Sequence, residues 1–129
     1  MDNYKNFNHI KIHTQYSICE GALRINDLAE FCKKNKIKCV GLSDTTNLCG
    51  ALEFSENLSK IGTQPIIGTQ VNFKFADQIG LLPLIATSEE SYKSIIEMSS
   101  NSYLKNDGMS EPHCNFKDLT AISKDIIIL

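Results

Sequence analysis

Two histidines flank a lysine in the stretch H-I-K-I-H at residues 9–13. Alternate side chains of a β-strand point to the same face, so we expect His9, Lys11 and His13 to share one face of a first strand over residues 8–13. Imidazoles that converge on one face are typical ligands of a metal ion, whereas an ammonium group between them repels cations. The stretch therefore indicates either a metal site or the remains of a former metal site.

Two more polar segments begin where β-rich runs end. The segment L-S-D-T-T-N follows I-K-C-V-G, and the segment G-T-Q follows P-I-I. In α/β folds the functional side chains gather at the carboxyl ends of strands. We therefore expect Asp44, Thr45 and Gln70, which lie in these segments, to line one pocket with the histidines of the first strand.

The spacing of apolar residues predicts alternating strands and helices that would position this pocket. Strands are expected at 8–13, 37–43, 65–68, 71–75, 81–86 and in the final I-I-I-L run, and helices after Ile25, from Leu48 to about Lys60 and after a Thr87/Glu90 capping box. Repeated strand-helix-strand units favour an α/β fold with a mainly parallel sheet or barrel. Because the chain stops inside an apolar run, we interpret residues 1–129 as part of a larger domain that ends within a predicted strand.

Composition narrows the classes of function. The formal net charge of −2 gives no general attraction to nucleic-acid phosphates. The five cysteines are odd in number and form no C-x-x-C pair, which favours a reducing, cytoplasmic compartment. No run approaches 18 apolar residues, so we expect no membrane insertion.

A resemblance to a known family is carried by three segments: H-I-K-I-H-T-Q-Y-S-I-C-E-G-A, L-S-D-T-T-N-L-C-G-A-L-E-F and Q-P-I-I-G-T-Q-V. Together they resemble the PHP (polymerase and histidinol phosphatase) domain, and more narrowly the PHP domain at the amino terminus of bacterial replicative DNA polymerase III alpha subunits. The match is collinear from about Phe7 to the last residue. The resemblance implies a distorted TIM-like (β/α)7 barrel, of which residues 1–129 would supply the amino-terminal portion.

The resemblance also implies what the pocket has kept and lost. In metal-binding members the first strand reads H-x-H-[S/T], the second ends in T-D-H-G-N and an acidic residue follows the third, and the metal cluster that they hold supports phosphoester hydrolysis. By this comparison a histidine is replaced by Lys11, another by Thr45 and the acidic residue by Gln70, while His13, Glu20 and Asp44 are kept. His9 matches a histidine that polymerase members often carry before the H-x-H pair.

We therefore expect a vestigial pocket without catalytic residues or metal, formed by His9, Lys11, His13, Glu20, Asp44, Thr45 and Gln70. Lys11 would replace the charge of the metal by pairing with Asp44 or Glu20. If a single Zn, Mn or Mg ion still bound, the ligands would be His13, Glu20 and Asp44.

The functional expectation rests on the same resemblance. It implies a parent DNA-directed DNA polymerase, a magnesium-dependent nucleotidyltransferase of DNA replication, whose catalytic residues lie downstream, so that this part is inactive on its own. The expected partners are the rest of the alpha subunit and the proofreading exonuclease subunit, with DNA bound only through the parent. Two alternatives stay open: a residual metal-dependent phosphoesterase or 3′-5′ exonuclease, and a stand-alone protein resembling histidinol phosphatase.

Overall fold

The computed structural model describes residues 7–120 and 125–129. Within these residues the helices are Ile25–Asn35 (α1), Ala51–Lys60 (α2), Glu89–Leu104 (α3) and Phe116–Thr120 (α4). The strands are Cys39–Gly41 (β1), Asp44–Thr45 (β2), Gln64–Ile66 (β3), Gly68–Phe75 (β4), Gln78–Ala86 (β5), Cys114–Asn115 (β6) and Ile126–Ile128 (β7). The α/β class predicted from the spacing of apolar residues is confirmed.

The sheets are mixed rather than mainly parallel. Strand β1 pairs with β3 in parallel, and a second sheet has the order β2-β4-β5-β7 with β6 beside β4. In that sheet β2 and β6 run parallel to β4, whereas the β4-β5 and β5-β7 pairs are antiparallel. The prediction of mainly parallel strands was wrong for the central pair because only Ala76 and Asp77 separate β4 from β5, and a parallel pair needs a long crossover.

The barrel expected from the resemblance does not close within the described residues. The path of the second sheet runs from β2 to β7, and these two end strands do not pair with each other. None of the helices in the described part of the chain has the length and apolar character that a bilayer crossing requires.

The expected first strand over residues 8–13 is not formed as a strand: an isolated parallel bridge joins Ile12 to Leu42, and the segment before it carries a bulge. The Gly41 N–H donates to the His9 carbonyl at 2.7 Å, and the Gly41 carbonyl accepts from the Ile12 N–H at 3.0 Å. In a regular parallel ladder these two partners are two residues apart, so the segment carries one extra residue. A Cβ at Gly41 would lie 2.6 Å from the Ile10 Cα, so glycine permits this close approach. The bulge breaks the alternation that would have aligned His9 and Lys11 with His13.

Two apolar clusters hold the elements in place. The first lies between α1, α2 and β1, and its fully buried members include Ile25, Cys32, Val40, Leu42, Phe54 and Leu58. The second lies between α3 and the β4-β5 hairpin and includes Val71, Phe73, Leu84, Ile95 and Met98. Leu48 packs against both clusters. The loop that follows β2, the strand of the candidate pocket residues Asp44 and Thr45, is therefore anchored between the two halves of the core.

The third helix begins with a different cap from the one predicted. Ser88 is its N-cap and forms a capping box with Ser91, in place of the expected Thr87 and Glu90. The Thr87 hydroxyl donates instead to the Asp125 carbonyl beside β7. A helix at this position is confirmed; it packs Ile95 and Met98 against the β4-β5 hairpin, whereas Ile96 and Tyr103, which the spacing placed on its apolar side, are exposed.

Candidate functional site

The Asp44 carboxylate is buried and links β2 to the turn after His13. Its Oδ1 accepts hydrogen bonds from the Thr14 N–H at 2.6 Å and from the Ser17 hydroxyl at 2.7 Å. Its Oδ2 accepts from the Thr14 hydroxyl at 2.7 Å. The side chain is fully buried, and charge-assisted hydrogen bonds of this kind are how a buried carboxylate is stabilised without a cation. Asp44 therefore fixes the turn after His13 to the start of β2, and its oxygens do not face an open ligand position.

Glu20 and Thr45 meet at the mouth of the pocket. The Thr45 hydroxyl donates to Glu20 Oε2 at 2.6 Å, and the same oxygen lies 3.7 Å from His13 Nδ1. The turn reaches this position through Cys19, whose φ is 65°, and through Gly21, where a Cβ would lie 1.8 Å from the Thr14 carbonyl oxygen. Gly21 is thus required by the shape of this turn.

Gln70 closes the inner side of the pocket. It lies beside Thr45 in the parallel pairing of β2 with β4 and is 3% exposed. Its Nε2 lies 3.1 Å from His13 Nε2. An amide nitrogen only donates, so His13 Nε2 accepts, and the ring proton is assigned to Nδ1, which faces Ser17 Oγ at 3.4 Å. The lone pair with which His13 would bind a metal is therefore engaged by Gln70.

His9 and Lys11 do not join this cluster. Lys11 is exposed, and in the part of the chain that the structure describes it makes no ion pair, so the expected pair with Asp44 or Glu20 is not formed. His9 is also exposed and contacts the Phe7 ring edge-on at a centroid distance of 4.6 Å. The bulge between His9 and Ile12 explains both positions, because it turns the residues before Ile12 out of register.

The residues brought together do not fit a catalytic metal centre. Across residues 7–120 and 125–129, no three side chains of the histidine, cysteine, aspartate or glutamate type are grouped so that they could hold a metal ion. Of the pocket side chains of these types, Asp44 is engaged by Thr14 and Ser17, which leaves His13 and Glu20. Thr45 and Gln70 are neutral. A catalytic zinc site takes three protein ligands of these types, so we derive no metal-dependent chemistry from this pocket.

The family model for the PHP domain matches residues 9–129. The chain belongs to the PHP domain family. Its relatives include the DNA polymerase III subunit alpha of Rickettsia felis, which is 36% identical over 124 residues that cover 95% of this chain and 10% of that protein. The corresponding subunit of Haemophilus influenzae is 29% identical over 131 residues, which cover 99% of this chain and 10% of that protein. This PHP domain thus spans about a tenth of the length of the curated relatives that it matches.

Solved structures support the fold of this PHP domain. A protein of Bifidobacterium adolescentis classed as a metal-dependent phosphoesterase aligns with a TM-score of 0.59 and 23% identity over 74% of this chain and 32% of that one. An amidohydrolase from Chromobacterium violaceum, solved with sulfate and no metal, aligns with a TM-score of 0.55 and 12% identity over 73% of this chain and 34% of that one. At these identities the likeness concerns the α/β fold alone.

Sequence reasoning missed the hydrogen-bond donors that organise the pocket. Thr14 and Ser17 were not singled out, although together they satisfy the Asp44 carboxylate. Asn47 was also missed, and its Nδ2 donates to the Tyr16 carbonyl at 2.9 Å and to the Thr45 carbonyl at 3.1 Å. The available signal was the density of Thr, Ser and Asn residues directly after strands, where such side chains bind nearby backbone groups.

Proposed function

We propose that residues 1–129 form the amino-terminal portion of the PHP domain of a DNA polymerase III alpha subunit, and that this domain is a non-catalytic scaffold that docks the proofreading exonuclease subunit. The observation that carries the non-catalytic assignment is the contact between Gln70 Nε2 and His13 Nε2 at 3.1 Å. An amide donor takes the position in which a metal ion would bind the imidazole. Thr45, a neutral side chain beside Gln70, acts in the same direction, and Lys11 is exposed outside the cluster.

The relatives support the assignment to a replicative polymerase. In this proposal DNA synthesis, its magnesium ions and the contacts with DNA belong to the rest of a cytoplasmic alpha subunit, since the chain covers 10% of the matched polymerase subunits. A scaffold role is supported by the buried polar side chains, since in the described residues every buried side-chain nitrogen or oxygen has a hydrogen-bond partner. A satisfied buried network fixes one geometry, which a docking surface needs.

Docking is tested on the intact alpha subunit with its cognate exonuclease subunit. Hydrogen-deuterium exchange, followed by mass spectrometry, is measured with and without saturating exonuclease. We expect slower exchange in peptides from residues 7–129 in the complex. Binding that slows exchange solely in other parts of the alpha subunit, or no binding in titration calorimetry, contradicts the proposed docking.

A residual metal-dependent phosphoesterase is the second candidate. It is favoured by the approach of Glu20 Oε2 to within 3.7 Å of His13 Nδ1, which leaves two ligand types side by side. Elemental analysis of protein purified without chelators separates the two candidates. We expect far less than one equivalent of Zn, Mn or Mg and no phosphatase activity that added metal stimulates. Stoichiometric metal that is lost in His13→Gln contradicts the non-catalytic assignment.

A further inference from the structure

The residue that follows the pocket threonine has an unusual backbone conformation. Thr46 is β-branched and has a φ of 58°, in the left-handed region that such residues rarely adopt. The loop on either side of it is clamped, because the Thr69 hydroxyl lies 2.6 Å from the Asp44 carbonyl and 2.9 Å from the Asn47 carbonyl. Thr46 therefore lies between two backbone carbonyls that a single threonine hydroxyl binds.

Helix α3 holds Thr46 from one side. The Tyr103 hydroxyl lies 3.2 Å from the Thr46 carbonyl oxygen and 3.0 Å from Thr46 Oγ1, and the Ser99 hydroxyl donates to the same carbonyl at 3.4 Å. The phenol has one proton, so it donates to the carbonyl while it accepts from the threonine hydroxyl. Two side chains one turn apart on α3 thus bind a single residue of the loop.

The pocket lies on the other side of Thr46. The Thr46 N–H donates to the Gln70 carbonyl at 2.7 Å, and Gln70 is the residue whose amide contacts His13. Thr45, which binds Glu20, directly precedes Thr46. A rotation of the Thr46 backbone would therefore displace the Thr45 hydroxyl and disturb the strand pairing of Thr45 with Gln70.

We propose that Tyr103 and Ser99 form a latch on α3 that keeps Thr46 in the left-handed conformation and so positions Thr45 and Gln70 in the pocket. Tyr103 is 52% exposed and lines an open groove of about 710 Å³ between α3 and the loops after His13 and β2. The latch is therefore accessible from solvent, and the geometry of a buried hydrogen-bond network depends on a hydroxyl at the surface. Tyr103 and Ser99 are positioning residues in this arrangement, because they act on the pocket through Thr46.

The test is amide hydrogen exchange of the 129-residue chain, measured by NMR. Tyr103→Phe removes the latch hydroxyl, and we expect the Thr46 amide to exchange at least about tenfold faster while amides in the α1-α2 core keep their rates. The side-chain amide signals of Gln70 should shift in the same variant. Tyr92→Phe is the matched control. Tyr92 lies on the same helix, and its hydroxyl makes no hydrogen bond in the described structure.

Glycine at position 46 distinguishes a latch from an ordinary hydrogen bond. Glycine adopts a positive φ without steric cost, so in a Thr46→Gly background the further change Tyr103→Phe should alter the protection of amide 46 much less than it does in the wild type. Ser99→Ala provides a milder perturbation if Tyr103→Phe does not fold, with a smaller change in the same direction. Unchanged exchange at Thr46 in both latch variants overturns the proposal, as does a Thr46→Gly background in which Tyr103→Phe still speeds exchange at position 46 about tenfold.

Discussion

The most informative single substitution is Asp44→Asn. The carboxylate accepts three hydrogen bonds in a fully buried position, two from Thr14 and one from Ser17. A hydrogen bond to a charged group is worth about 1 kcal/mol more than one to a neutral group, and the amide of asparagine presents a donor to the Thr14 hydroxyl where the carboxylate presents an acceptor. We therefore expect Asp44→Asn to lower the free energy of unfolding by about 2–3 kcal/mol.

The effect is large enough to measure by thermal and urea unfolding followed by circular dichroism. An unfolding entropy of about 2.1 cal/mol/K per residue converts this loss into a fall of roughly 7–11 °C in Tm for a chain of 129 residues. Asp27→Asn is the matched control, because Asp27 is exposed in the first turn of α1 and its charge is worth about 0.5 kcal/mol. If Asp44→Asn costs no more than Asp27→Asn, the buried carboxylate does not hold the turn after His13, and our account of the pocket is wrong.

Three further predictions concern close packing, the pocket and a buried thiol. Gly41→Ala places a Cβ 2.6 Å from a backbone carbon and should lower Tm by several degrees, whereas Gly80→Ala, which meets no atom within 4 Å, should leave Tm nearly unchanged. Gln70→Glu replaces the donor on His13 with a carboxylate, so zinc should raise the Tm of this variant and not that of the wild type; equal shifts would contradict our account of Gln70. Burial raises the pKa of the Cys114 thiol, so at neutral pH N-ethylmaleimide should label it far more slowly than the exposed cysteines, and equal labelling rates in the native protein would contradict that burial.

The helices were predictable from the sequence because apolar residues at helical spacing pack in the core. Ile25, Leu28 and Cys32 follow the spacing of one helical face, and all three are buried in the first cluster. The β4-β5 hairpin could not be read in the same way. Its turn is Ala76-Asp77, with a φ of 52° at Ala76, and alanine is not a residue that marks a left-handed turn position.

The candidate site was partly predictable for a similar reason. Thr45 and Gln70 follow separate strands, and the parallel register of β2 with β4 places them side by side. The positions of His9 and Lys11 were not predictable, because an alternation rule assumes a strand without insertions, and a bulge is a property of the pairing with Gly41 rather than of the segment itself.

The outward position of Lys11 bears on how the pocket carboxylate is stabilised. A lysine inside the pocket would have supplied a positive charge, at the cost of burying an ion pair. Instead the negative charge of Asp44 is stabilised by backbone and hydroxyl donors, and the lone pair of His13 is satisfied by the Gln70 amide. These partners are neutral dipoles in fixed positions, so the pocket needs neither a cation nor the entropy cost of ordering a long side chain. Because these dipoles must be held in place by the backbone, the geometry of the pocket depends on Thr46 and on the α3 side chains that bind it.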